Sequence, residues 1–303
     1  MSSPNPTIEL LMNRASVRRF SDRSIEHDVL ETIIEAGTHA PTGGLQPYSV
    51  IVVEDRETRQ RIFDLDGVGQ KQIVNAPANL VFCVDMRRNA RWAALEEAPF
   101  TATDSFEEWW IAVQDAVIFA QTVTVAAEAL GLGTVYIGTV YWYFDRLREL
   151  LELPTGVFPV VLLCLGYPKD ERPKPRRKLP PAVVAHRGRY HDPTDDELLA
   201  VMKAKHQGTI EASTERVDEI ATVSRKVGGV DAERRFRARV TERGHLSPVQ
   251  FIYGVPYRAD HAVEHNDRCL EALESAGFGW FKRFDRLAGR ISDPAQLDGR
   301  ETA

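Results

Sequence analysis

Apolar residues recur at helical spacing through Ile8, Leu11 and Met12, and again through Val29, Leu30, Ile33, Ile34 and Gly37. The sequence therefore predicts two amphipathic helices near its start. The second stops at "APTGG", where Pro41, Gly43 and Gly44 do not continue a helix cheaply. Ser49–Glu54 and Asn79–Asp85 are short, apolar and rich in β-branched residues, the pattern of buried strands. From Glu107 to Leu130 the chain is apolar on more than one helical face, which predicts a helix that is central or lies at a subunit interface. Gly131 and Gly133 read as left-handed residues that end it. "TVYIGTV" predicts a short strand, Leu147, Leu150 and Leu151 a helix, and "VFPVVLLCLG" the last core strand. This order of elements predicts an α+β fold with one sheet between helices.

After Tyr190 the pattern changes. "TDDELLAVMKAK" is a polar amphipathic helix. Residues 209–245 are highly charged and sparse in large apolar side chains, so they are expected to drape over another surface or stay mobile rather than build a core. Cys269, Leu270 and Leu273 share a helical spacing that Gly277 ends, and the tail from Arg283 reads as frayed. The expected division is 1–191 as one core domain and 192–303 as a charged helical extension packing on that core or on a partner subunit.

With 303 residues, 43% of them hydrophobic, the chain can bury a large core. The net charge of −6 argues against a nucleic-acid binder, and the clustered cations suit a small anionic ligand better. Three separated cysteines without a CxxC disfavour zinc and fit a reducing compartment. In "HAVEH", His261 and His265 lie four apart, but no third ligand is evident and the glutamate is misplaced for a zinc-peptidase motif, so no metal is expected. There is no signal-like start, and no apolar run approaches the roughly 18 residues of a membrane span. A cytoplasmic protein with no membrane partner is expected.

No phosphate-binding G-x-x-x-x-G-K-[ST] and no G-x-S-x-G occurs. "GLGTVY" follows a helix rather than a strand, which argues against a dinucleotide fingerprint. "NRASVRRF" offers Arg14, Ser16 and Arg18: on a helix the arginines share a face, and in a turn they still clamp one anion. A second group follows the last strand, where Pro173 and Pro175 stiffen the backbone around Lys174, with Arg176 next. Spacing alone fits a solvated basic loop equally well. The turn "APTGGLQPYS" adds Thr42 and Gln46, with backbone exposed by Gly43 and Gly44, at the rim a flat ligand needs.

Four ordered motifs resemble those of the FMN-dependent nitroreductase family. They are Arg14-Ala15-Ser16-Val17-Arg18, the turn Ala40–Pro47, Gly131–Gly138, and Gly166-Tyr167-Pro168 followed by Lys174-Pro175-Arg176. The branch most similar is that of the NADPH-linked oxygen-insensitive nitroreductases and major flavin reductases, over about residues 8–190. The turn departs from the family's usual form: Leu45 follows Gly44 and no asparagine is present, so Thr42 or Gln46 must take over its contact. The resemblance implies a central mixed or antiparallel sheet flanked by helices, in an intertwined homodimer with FMN at each interface. It implies that Arg14, Ala15, Ser16, Arg18, Lys174 and Arg176 hold the flavin phosphate and ribityl chain. Thr42, Gly44, Gln46, Gln70, Tyr136, Ile137 and Gly138 would lie along the ring. Arg234, Arg235, Arg237 and Arg239 would meet the NADPH 2′-phosphate, unless they only pair with neighbouring acids on a solvated helix. FMN would be bound, NADPH or NADH would be the co-substrate, and a nitroaromatic, quinone or flavin the acceptor. No side chain would act as nucleophile or acid–base catalyst. The competing expectations are a specialised flavin enzyme that oxidises or dehalogenates one metabolite, and a flavin-binding sensor without turnover.

Overall fold

The strands β1 (Tyr48–Val53), β2 (Ala78–Asp85), β3 (Gly133–Ile137) and β4 (Val157–Gly166) form one antiparallel sheet in the order β1-β2-β4-β3. This is the architecture of a computed structural model that describes residues 5–206 and 208–281. Around the sheet lie α1 (Pro6–Asn13), α2 (His27–Thr38), α3 (Arg56–Asp66), α4 (Gln72–Asn75), α5 (Met86–Leu95), α6 (Phe106–Ala129) and α7 (Phe144–Leu150). Helices α8 (Pro181–Val184), α9 (Asp195–Lys205), α10 (Thr214–Arg243), α11 (Pro248–Gly254) and α12 (Ala259–Ser275) follow. The chain divides into two compact units, 1–173 with 269–303, and 174–268. The α+β class agrees with the reading of the sequence, and the sheet is antiparallel throughout.

Alternation along each strand sends side chains to two different cores. On one face Val81, Cys83, Val135, Ile137, Leu162 and Cys164 pack with Ile62, Ile73 and Leu147. On the other, Leu80, Phe82, Leu163 and Leu165 meet Leu30 and Ile33 of α2 and Phe119, Ala120 and Val123 of α6. A strand covered on both faces has few polar positions to spare, which is why β2 reads as an apolar run from Leu80 to Val84, and every residue in it is buried, Asn79 and Asp85 included. β1 departs from the expectation of a buried strand. It is an edge strand, and only its two ends are fully buried.

Two further expectations are corrected. Gly131 does sit in the left-handed region, at φ 89°, and ends α6. Gly133 does not: it is the first residue of β3, and an added Cβ there would lie 2.6–2.8 Å from the Val17 side chain. Its small size lets the segment after α1 close on the sheet. Moreover α6 is, by length and composition, apolar enough to cross a membrane, although no uninterrupted apolar run marks it. Here one side of it covers the sheet through Ala112, Ala116, Phe119, Ala120, Val123 and Ala127.

The second unit corrects the expectation that residues 209–245 build no core. At Gly229 (φ 73°, ψ −174°) α10 breaks, and its two arms fold back on each other. Arg237 Nη1 lies 2.8 Å from Asp218 Oδ1 across the pair of arms. Ile220 and Ala221 of one arm pack with Phe236 and Val240 of the other and with Leu246. The apolar residues are few, but a hairpin lets each one count twice. The tail from Arg283 lies outside the described residues.

Candidate functional site

The segment after α1 is not helical, so Arg14 and Arg18 do not share a helix face. It is laid across the ends of two strands instead. The Val17 N–H donates to the Thr134 carbonyl (2.9 Å), the Ser21 N–H to Tyr167 (2.9 Å), and Phe20 bridges to Pro168. Ala15 and Ser16 are half-buried and Arg18 is exposed. Ser16 and Arg18 border a cleft of about 230 Å³ that Arg19, Pro168, Asp170 and Glu171 also line. Arg19 pairs with Asp170 at 3.2 Å, which leaves Arg18 as the cation bordering this cleft with no ion pair among the described residues.

Arg14 leads to a residue the sequence reading missed. Glu128, near the end of α6, has a side chain only 2% exposed. It accepts a hydrogen bond from Thr134 Oγ1 at 2.5 Å, and Arg14 Nε lies 3.5 Å away. Arg172 Nη1 stands 3.9 Å from its other oxygen while Nη2 donates to the Leu132 carbonyl at 2.8 Å. Burial pushes the Glu128 carboxyl up from its ordinary range, against the Thr134 hydrogen bond and the charges of Arg14 and Arg172. A lone acid in the apolar stretch "VAAEALGLG" was the available signal, but its partners lie elsewhere in the sequence.

Beyond Thr134 the outer edge of β3 has no strand beside it among the described residues. In an antiparallel strand the N–H and C=O of one residue point to the same edge, and the direction alternates along the chain. Thr134 turns its carbonyl outward to Val17, so the N–H groups of Tyr136 and Gly138 also point to the free edge. Ile137 is buried, and the half-buried Tyr136 has its hydroxyl 2.8 Å from that of Thr124. Burial pushes the Tyr136 phenol up. Gly138 is exposed, and nothing would meet a Cβ placed on it.

At this end of β3 stands Gln70. Its Nε2 donates to Asp66 Oδ1 (2.8 Å) and to Thr139 Oγ1 (2.9 Å), and Thr139 donates in turn to Asp66 Oδ1 (3.0 Å). Asp66 is 3% exposed and also accepts the backbone N–H groups of Val68 and Gln70. Sequence reasoning missed Asp66 as well.

The turn Ala40–Pro47 lies elsewhere. It leads into β1, on the opposite edge of the sheet from β3. That is three strand spacings away, roughly 14 Å. Within it Gln46 adopts φ 44°, and its amide donates to the Thr38 carbonyl (3.2 Å) and the Tyr48 hydroxyl (2.8 Å). Asp115 accepts the Gly43 N–H at 3.0 Å, Thr42 is half-buried and Gly44 exposed. A single chain therefore does not bring Thr42, Gly44 or Gln46 to Tyr136.

In the second unit Lys174 and Arg176 are exposed. Arg234 pairs with Asp231 (3.2 Å), Arg237 with Asp218 (2.8 Å) and Glu233 (3.0 Å), and Arg239 with Glu242 (3.1 Å). Arg235 is exposed. The rings of His261 and His265 lie 5.9 Å apart, and among the described residues no group of three or more His, Cys, Asp or Glu is placed to hold a metal.

The model of the nitroreductase family matches residues 11–167. The chain belongs to the nitroreductase family. It is 37% identical to the oxygen-insensitive NADPH nitroreductase of Salmonella typhimurium over 197 residues, 65% of this chain and 79% of the relative. It is 37% identical to an FMN reductase [NAD(P)H] of Bacillus subtilis over 217 residues, 71% of this chain and 85% of the relative. Among solved structures it is similar to the NADPH:FMN oxidoreductase of Vibrio harveyi complexed with NAD+, with a TM-score of 0.61 at 33% identity, covering 66% of this chain and 84% of that one. The nitroreductase match ends at Tyr167, so it includes the Arg14–Arg18 segment, the turn and β3, and leaves out Lys174 and Arg176.

Proposed function

We propose that this protein is an FMN-dependent NAD(P)H oxidoreductase that passes two electrons to small, electron-poor acceptors such as nitroaromatics, quinones or flavins. The observation that carries this reading is the open edge of β3. It joins the cleft of Ser16 and Arg18 at one end to the N–H groups of Tyr136 and Gly138 at the other, which have no backbone acceptor among the described residues. The residues fit the cofactor: a cation and a hydroxyl suit a phosphate, and backbone donors suit the acceptor atoms on the edge of a flavin ring. Names of relatives at 37% identity point the same way.

Bound FMN supplies the redox chemistry, hydride acceptance at N5 followed by delivery of two electrons. The chain holds and orients. Arg14, Ser16 and Arg18, backed by Ala15, would take the phosphate and ribityl chain. Arginine suits this task because its planar fork makes two hydrogen bonds to one oxyanion. Ile137 anchors the strand from the buried side, and the Gly138 N–H would serve as a hydrogen-bond donor to the bound flavin. No proton-relaying side chain is required, and the open face admits NAD(P)H and acceptor in turn, which gives ping-pong kinetics.

The position of the Ala40–Pro47 turn supports a homodimer. Thr42, Gly44 and Gln46 sit on the wrong edge of the sheet for their own chain's ring, and in an intertwined pair they would serve the partner's. The outward side of α6 exposes Trp110 (55%), Ile111, Val117 and Ile118, an apolar surface suited to that contact. The buried thiols Cys83 and Cys164 agree with a cytoplasmic setting. NADPH preference is assigned to the arginines of α10, with Arg235 the freest to meet a 2′-phosphate.

The test is an absorption spectrum of the purified protein, then anaerobic addition of NADPH and of NADH. A flavin band that bleaches supports cofactor, site and reductive half-reaction together. A colourless protein that FMN does not reconstitute overturns the reading.

A further inference from the structure

We infer that Asp66 is a positioning residue that, with Thr139, locks the Gln70 amide with its carbonyl oxygen outward, so that Gln70 recognises a ring N–H donor. The inference rests on the FMN reading above. A glutamine amide carries two hydrogens and one acceptor oxygen. Gln70 Nε2 faces Asp66 Oδ1 at 2.8 Å and Thr139 Oγ1 at 2.9 Å, so the donor side of the amide is turned to these two acceptors. Thr139 accepts because its own hydrogen goes to Asp66 Oδ1 at 3.0 Å. Turning the amide over would set its oxygen against the Asp66 carboxylate, a buried acceptor facing an acceptor, which the low local dielectric penalises.

Asp66 is itself held. It is 3% exposed, and its second oxygen accepts the Gln70 N–H at 3.1 Å and the Val68 N–H at 3.3 Å. One carboxylate therefore fixes both the backbone and the amide of Gln70. Among the described residues the oxygen left over has only a long 3.4 Å approach from Gln72 Nε2. Thr139 directly follows Gly138, so this oxygen belongs to the same end of β3 as the outward Gly138 N–H. This end of β3 thus offers both a donor and an acceptor. The isoalloxazine ring is lined with acceptors and carries one N–H donor, at N3, and that donor is what Gln70 is set to read.

The test is competition between FMN and 3-methyl-FMN for the full-length holoprotein, measured as the ratio of their affinities. The wild type is expected to favour FMN about tenfold, the size of one unmade buried hydrogen bond. Gln70→Ala removes the acceptor and brings the ratio within about twofold. Asp66→Asn lets the Gln70 amide turn over and lowers the ratio in the same way, with FMN still bound. Thr139→Val, which leaves the turn of Asp66 intact, lowers it in the same direction and stands in if Asp66→Asn does not fold. A ratio near one in the wild type overturns the inference while the FMN reading stands. A wild-type ratio that Gln70→Ala abolishes but Asp66→Asn and Thr139→Val leave at tenfold removes Asp66 from the role. A protein that binds neither compound overturns the FMN reading, and this inference with it.

Discussion

Replacing Gly133 with alanine tests the junction on which the proposed phosphate end depends. The added Cβ would lie 2.6 Å from Val17 Cγ2, 2.7 Å from its Cβ and 2.8 Å from its Cγ1. Carbon atoms rest at about 3.5–4.0 Å, so the two segments must separate by about 1 Å. Val17 cannot swing aside: it is 3% exposed, and its N–H is fixed to Thr134. Overpacking of this kind costs about 1–3 kcal/mol, which for a unit of this size lowers Tm by roughly 3–9 °C. Ser16 and Arg18 flank Val17, and a shift of about 1 Å is enough to break charge-assisted hydrogen bonds to a phosphate, a loss of roughly tenfold in affinity. Riboflavin has no phosphate and should bind with little change. The assay is a thermal melt together with FMN and riboflavin titrations. Gly138→Ala serves as the stability control, since nothing lies within 4 Å of a Cβ there. A Gly133→Ala protein that melts within about 1 °C of wild type and keeps its preference for FMN over riboflavin would refute the reasoning.

Three other outcomes are expected. Tyr167 Oη donates to Glu26 at 2.6 Å and Arg23 pairs with it at 2.5 Å, and these hold its carboxyl down to about 2 from an ordinary 4.5. A depressed acid contributes stability above its unfolded value and loses it as pH falls through the folded one, here between 4.5 and about 2; carbon-13 titration should show Tyr167→Phe moving Glu26 back toward 4.5. Phe236→Ala empties the centre of the small hairpin core, where such truncations cost about 3–5 kcal/mol, and amide exchange within Thr214–Arg243 should accelerate accordingly. Arg235→Ala should raise the KM for NADPH several-fold and leave that for NADH in place, whereas an unchanged NADPH-to-NADH ratio would remove α10 from cofactor selection.

Much of the fold was legible because its signals are local. β2 and β4 are covered on both faces and therefore appear as largely apolar runs, and α2 shows its single buried stripe directly in Leu30 and Ile33. What stayed hidden depends on partners far apart in the chain. The weight of Asp66 comes from Thr139, 73 positions away, and the pairing of Glu128 with Arg14 spans most of the first unit. Gly133 carried two possible meanings, a left-handed residue or a missing side chain, and only the position of Val17 decides between them. The α10 hairpin was hidden for a similar reason. Its five buried core residues are too sparse for either arm alone, and become a core only once Gly229 reverses the chain.

The motifs that identify the family also lie in two separate places. Arg14–Arg18 and β3 share one edge of the sheet, while the turn before β1 lies at the other. The Gln46 amide is held beside its own turn, by the Thr38 carbonyl at the end of α2 and the Tyr48 hydroxyl at the start of β1, so it does not reach across. If all these motifs serve one flat cofactor, as their order in the sequence implies, a second chain must supply the missing side. The proposed dimer draws further support from α6, which is apolar enough to resemble a membrane span yet turns Trp110, Ile111, Val117 and Ile118 outward. Such a surface is costly to leave in water. Covering it and completing the flavin site would be one event in the proposed dimer, and each process would then stabilise the other by mass action.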